Sequence, residues 1–192
     1  MTLCSENEMR DLVAKLERGD GGRDAIEACL SSHPDDPRLH FMLGSVLAER
    51  GDAIAAHGAL ERAVALAPEF HIARYQLGFF ELTSGEADRA LSTWGPLLRL
   101  ADDNYLRKFV EGLTFLIRDE FSAAATKLRE GIALNRENEP INNDIRLILS
   151  QVEELAQTRA GTDTTDKDDQ DGTDQSATSV LLGQFGANRT RH

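Results

Sequence analysis

Arg38-Leu39-His40-Phe41-Met42-Leu43-Gly44 opens the stretch that decides the fold, and it continues through Gly51-Asp52, Ala56, Leu60 and Ala63-Val64 to Ala67-Pro68. Its elements return downstream at one spacing. Leu43-Gly44 recurs as Leu77-Gly78, and Gly112 stands another 34 residues on. Gly51 and Gly85 share that interval, as do Ala56, Ala90 and Ala124, then Leu60, Trp94 and Leu128, then Leu66, Leu100 and Leu134. Several independent columns at one interval mark an internal repeat, which outranks other readings of the fold. Two antiparallel helices per unit need such a set: a small residue where the helices cross, a turn residue, then a second small residue facing back. Glycine inside a helix costs about 1 kcal/mol relative to alanine, so Gly44, Gly78 and Gly112 predict close crossings that compensate.

Working outward, Met9, Leu12, Val13 and Leu16 make one amphipathic helix and Ala25, Ile26, Cys29 and Leu30 another. Gly19-Asp20-Gly21-Gly22 supplies the turn and Pro34 the close, with an altered spacing between the two helices. Beyond Arg136 the repeat pattern stops. Pro140 suits a first helical turn, and Ile141, Ile145, Ile148, Val152 and Leu155 form one apolar stripe. A repeat stack leaves a bare apolar end, which a helix over Ile141 to Arg159 would cap; a coiled-coil seam is the competing reading. Residues from about 6 to 159 are therefore expected to be helical, with turns near Gly19, Gly51, Gly85 and Asp119.

These columns resemble the tetratricopeptide-repeat family from about Pro37 to Asn138. The resemblance implies an all-α, helical-hairpin solenoid. The organisation expected is about three clear repeats over residues 37–138 and a degenerate one over 1–36, followed, on apolar spacing and composition, by a capping helix over 139–160, a disordered acidic linker over 161–178 and a tail peptide over 179–192. Later units depart from the pattern: Asp102 and Arg136 replace Pro68, Glu111 replaces the leucine before Gly112, and Gly131 replaces Ala63.

Composition narrows the function. The 192 residues carry a formal charge of -12 and 41% hydrophobic residues, which fits one domain-sized unit and lacks the clustered positive charge a nucleic-acid surface needs. No run approaches a membrane span, and Glu6 and Glu8 stand where a signal peptide would be basic, so a cytoplasmic protein without membrane insertion is expected. Cys4 and Cys29 form no CxxC pair, and Cys29 reads as a small buried thiol, its pairing with His33 one turn on being weaker than core packing. His57 and Glu61 share a helical face and read as solvated. In the linker, aligning Gly172 with the turn glycine of a calcium loop puts Lys167 and Thr178 at ligand positions, so the match fails. No phosphate-binding, hydrolase or zinc-protease motif occurs. No catalytic residue, metal or cofactor is expected.

In the family, first helices line a concave surface that holds peptides. Carried over residue by residue, the resemblance implies a groove of Phe41, Ser45, Tyr75, Phe79, Leu82, Phe109, Leu113 and Leu116. The lysine, asparagine and arginine clamp for acidic chaperone tails is replaced here by Phe41, Ser45, Tyr75 and Phe79. A one-residue shift of helix phase rotates the face by about 100°, which would make the same side chains core. From 161 to 178 six aspartates and one lysine occur with no apolar residue larger than alanine, too little to order the segment. The tail beyond it, with Val180, Leu181, Leu182, Phe185, Arg189 and Arg191, reads as a docking peptide for this groove or for another protein, with plain disorder as the remaining alternative. The expected function is a non-enzymatic adaptor or chaperone-like module binding a partner's apolar segment; the alternative is a regulatory or assembly subunit of an enzyme or membrane complex.

Overall fold

The computed structural model describes residues 3–19 and 22–162. Among them are nine α-helices: α1 Glu6–Glu17, α2 Gly22–Ser32, α3 Pro37–Glu49, α4 Ala53–Leu66, α5 His71–Thr83, α6 Ala87–Trp94, α7 Tyr105–Ile117, α8 Phe121–Leu134 and α9 Glu139–Thr162. No strand occurs among the described residues. The helix starts carry the repeat directly. First helices begin at Pro37, His71, Tyr105 and Glu139, second helices at Ala53, Ala87 and Phe121, and each series advances by 34. The chain divides inside α5 into two compact units, one running to Glu81 and the other beginning at Leu82, where length had suggested one.

Each hairpin closes the same way. Gly19, Gly51, Gly85 and Asp119 all adopt left-handed backbone, with φ of 74°, 77°, 85° and 57°, a region where a Cβ clashes and glycine is at ease. In the three later hairpins an acid follows. The carbonyls of Asp52, Glu86 and Glu120 then accept from the backbone N–H of Ala56, Ala90 and Ala124 at 2.9–3.0 Å, and a negative side chain there suits the helix N-terminus.

Unit 1 packs α2 on α3 and α3 on α4. A Cβ built on Gly44 would lie 2.7 Å from Leu60 Cγ and 3.3 Å from the Ala56 carbonyl oxygen. Leu60, Ala63 and Val64 of α4 then meet Ala73 and Leu77 of α5, with Phe41, Phe70 and Phe80 against them. Leu12, Ile26 and Leu39 join the first pair to α3. Helices α1 and α2 start 16 residues apart, as α3 and α4 do, so the altered spacing expected within this pair lies instead between it and α3. Its crossing position holds Val13, which is exposed.

Unit 2 packs α7 on α8 and α8 on α9. A Cβ on Gly112 would lie 2.7 Å from Leu128 Cδ2 and 3.2 Å from the Ala124 carbonyl oxygen, repeating the Gly44 crossing two periods on. Gly131 departs from Ala63 because the fully buried Phe109 ring occupies the space a Cβ would need. Helix α6 stops at Trp94 and gives way to a 3-10 turn, Leu97–Arg99; Pro96 has no N–H for the helical ladder, so this second helix is shorter than the repeat predicts.

The repeat does not end at Arg136. Helix α9 begins in register and runs past residue 160 to Thr162, taking the first two positions assigned to the linker. Ile141, Ile145, Ile148 and Val152 are buried, which places the stripe inside the unit and leaves no coiled-coil seam there. At the crossing position α9 carries Arg146, half-exposed and bonded to Glu139 at 2.6 Å. Glycine is dispensable at a position that, among the described residues, no helix crosses closely. The remaining linker and the tail lie outside the described residues, as does the rejected calcium loop.

Candidate functional site

The first helices hold the residues expected to face a ligand. In unit 1, Phe41 and Ser45 are partly exposed; the Phe41 ring meets Phe70 at 5.4 Å, and the Ser45 hydroxyl donates to the Phe41 carbonyl at 3.1 Å. Tyr75 and Phe79 stack at 6.1 Å but are only 3% and 5% exposed. In unit 2, Leu82 is 2% exposed and Phe109, Leu113 and Leu116 are 0%. Six of the eight expected groove residues are therefore packing residues in this structure. The cause is the environment of a first helix inside a stack. Helix α7 buries Leu106, Lys108, Phe109, Val110, Gly112, Leu113 and Leu116, positions that span more than half of its circumference.

A polar series, missed in the sequence, runs down the same helices at the repeat interval. His40 Nε2 donates to the Pro34 carbonyl at 2.8 Å, Arg74 to the Pro68 carbonyl at 3.1 Å, and Lys108 Nζ to Asp102 Oδ1 at 2.8 Å. Asn142 continues it, donating to the Asn135 carbonyl at 3.0 Å. Each side chain ties a first helix to the loop that precedes it. The donors differ in type, which hides the column; what is shared is reach and a donor hydrogen. Asp102, where the early unit has Pro68, is thereby explained: its carboxylate does the work of the proline carbonyl, and the Lys108 hydrogen bond holds it below its ordinary pKa.

Glu111, the other departure, belongs to a charge network. Its carboxylate meets Arg107 at 2.8 Å, Lys108 at 3.7 Å and Lys127 at 3.8 Å, and Glu130 joins Lys127 at 2.9 Å. Three cations face Asp102, Glu111 and Glu130, a balance that knits α7 to α8. His57 is not solvated: it is largely buried between Glu61 at 3.5 Å and the buried Glu81 at 3.3 Å, and Glu81 lies 24 residues beyond it, out of range of any local pattern.

Near the N-terminus, Cys4 is buried and Cys29 only half so, the reverse of the expected emphasis. Burial first, then Glu8, Cys29 and Asp36, push the Cys4 thiol up, which keeps it from acting as a ready thiolate nucleophile.

No family model matches the chain, and no curated protein matches its sequence. Solved structures do. MamA from Desulfovibrio magneticus RS-1, residue 41 to its end, superposes with a TM-score of 0.55 at 16% identity, over 80% of this chain and 95% of that one. The ArsTM double mutant of MamA RS-1 gives 0.53 at 16% identity, over 81% and 96%. MamA is a tetratricopeptide-repeat protein. The fold of this chain is the tetratricopeptide-repeat fold. Stacked repeats of this kind offer extended surfaces. No helix among the described residues is long and apolar enough to cross a membrane.

Proposed function

We propose that the chain is a non-enzymatic interaction module, an adaptor or chaperone-like protein, that holds an apolar segment of a protein partner on its first helices, with its own C-terminal tail as a competing ligand. The observation that carries this reading is the constant hairpin register from Pro37 onward: within each unit, hairpins in one register present a surface to a peptide without needing a reacting group. Within unit 1 the contact falls on Phe41 and Ser45, whose side chains are partly open. Tyr75, Phe79, Leu82, Phe109, Leu113 and Leu116 enter as the packed wall that positions the helices.

Capture from an extract of the protein's own cells tests it. The immobilised full chain is compared with Phe41→Glu and Ser45→Arg, each first shown by circular dichroism to keep its helix content. A partner is expected that the full chain retains and both variants recover about tenfold less or worse, the loss typical of a central contact. Equal recovery by all three, or no protein retained by the full chain, would overturn the reading.

A further inference from the structure

The splayed first hairpin leaves an open-sided cavity of about 320 Å³ whose wall includes Glu8, Leu12, Cys29, Ser32 and His33. Two of these wall residues meet the buried Cys4: its thiol, a Glu8 carboxylate oxygen and a His33 ring nitrogen lie within 4.8 Å of one another. Three chain segments bring them there: the residues before α1, the first turn of α1, and the residue after α2. The geometry points to a binding site for one divalent transition cation of the zinc type, held by Cys4, Glu8 and His33 with its fourth position toward the cavity.

The chemistry of the donors selects that class. One sulfur, one imidazole nitrogen and one carboxylate oxygen suit zinc, whereas calcium and magnesium take oxygen ligands. A thiolate and a carboxylate also neutralise a double positive charge. Three protein ligands with a fourth position left over is a pattern that zinc accepts.

Bonds from other atoms of the same residues hold the ligands in place. The Cys4 N–H donates to Asp36 Oδ2 at 2.9 Å and its carbonyl accepts from Arg38 at 2.6 Å, which holds its backbone in place. Glu8 gives Oε2 to the Ser5 N–H at 2.8 Å and hydroxyl at 2.6 Å. Its other oxygen, Oε1, stands 3.6 Å from His33 Nε2. The backbone N–H of His33 donates to the Cys29 carbonyl at 2.9 Å. Such supporting bonds are what orient metal ligands.

The test uses the tag-free full chain, chelator-stripped and kept reduced, titrated with cobalt(II) and then zinc. One cobalt per chain is expected, with the visible bands of a tetrahedral site and a thiolate charge-transfer band, both displaced by zinc. Cys4→Ser and His33→Gln are each expected to weaken zinc binding about tenfold or more, and Glu8→Gln, which keeps the bonds to Ser5, to weaken it as well. His57→Gln, in the other half-buried histidine–carboxylate cluster, serves as the control and should change nothing. If Cys4→Ser fails to fold, His33→Gln and Glu8→Gln decide. Absence of stoichiometric binding, or binding that neither His33→Gln nor Glu8→Gln weakens, would overturn the inference.

Discussion

A left-handed residue closes every hairpin, and it sets the sign of two substitutions that look alike. Gly85 has φ of 85° and nothing within 4 Å of a built Cβ, so Gly85→Ala changes backbone strain alone and is expected to lower stability by about 1–2 kcal/mol. Gly58 lies on the exposed side of α4 with nothing within 4 Å of its Cβ. There Gly58→Ala removes only a helix penalty and should raise stability by about 0.5–1 kcal/mol. Urea unfolding of both variants measures the difference in sign; equal shifts would mean that the turn is not where the structure has it. These turn residues were legible in the sequence because a left-handed backbone restricts the choice of residue. The groove was not, because Tyr75, Phe79, Leu82, Phe109, Leu113 and Leu116 are buried by contacts outside their own helix, which the pattern along that helix does not report.

Between elements, the strongest local tie is Asp36. It caps α3 through the Arg38 N–H at 3.0 Å, pairs with the Arg38 guanidinium at 2.8 and 3.1 Å, and takes the Cys4 N–H. Burial alone would raise its carboxyl; the Arg38 side-chain bonds and then the backbone N–H groups of Cys4 and Arg38 outweigh that and hold it below the ordinary value. A carboxyl depressed in the folded state stabilises above its unfolded pKa of about 3.9. That contribution fades as pH falls through the lower folded value. Asp36→Asn is therefore expected to destabilise the chain near pH 7, with the gap to the parent narrowing below about pH 4; a gap independent of pH would refute the assignment. The helices themselves were legible from periodicity. The ties between them were not: Asp36 to Cys4, His57 to Glu81 and Asn142 to Asn135 join residues whose partners no helical period predicts. Helix α9 was read as a stripe, yet its membership of the register was hidden because Arg146 replaces the glycine.

At the scale of the molecule, one 34-residue register organises Pro37 to the end of α9 across two compact units, and the interaction surface proposed for the protein depends on it. Departures at Glu111 and Gly131 in the third repeat, and at Asp102 just before it, have partners in Lys127, Phe109 and Lys108 that accommodate them, so the third repeat is a variant of the pattern and not a failure of it. Register-equivalent positions supply the direct test: denaturant unfolding of Gly44→Ala, Gly112→Ala and Arg146→Ala. The first two force a Cβ into Leu60 and Leu128 and should each cost about 1–3 kcal/mol, the usual range for overpacking. Arg146→Ala loses an exposed ion pair and should cost under about 1 kcal/mol. If alanine is tolerated at 44 and 112, or is as costly at 146, the shared register is contradicted.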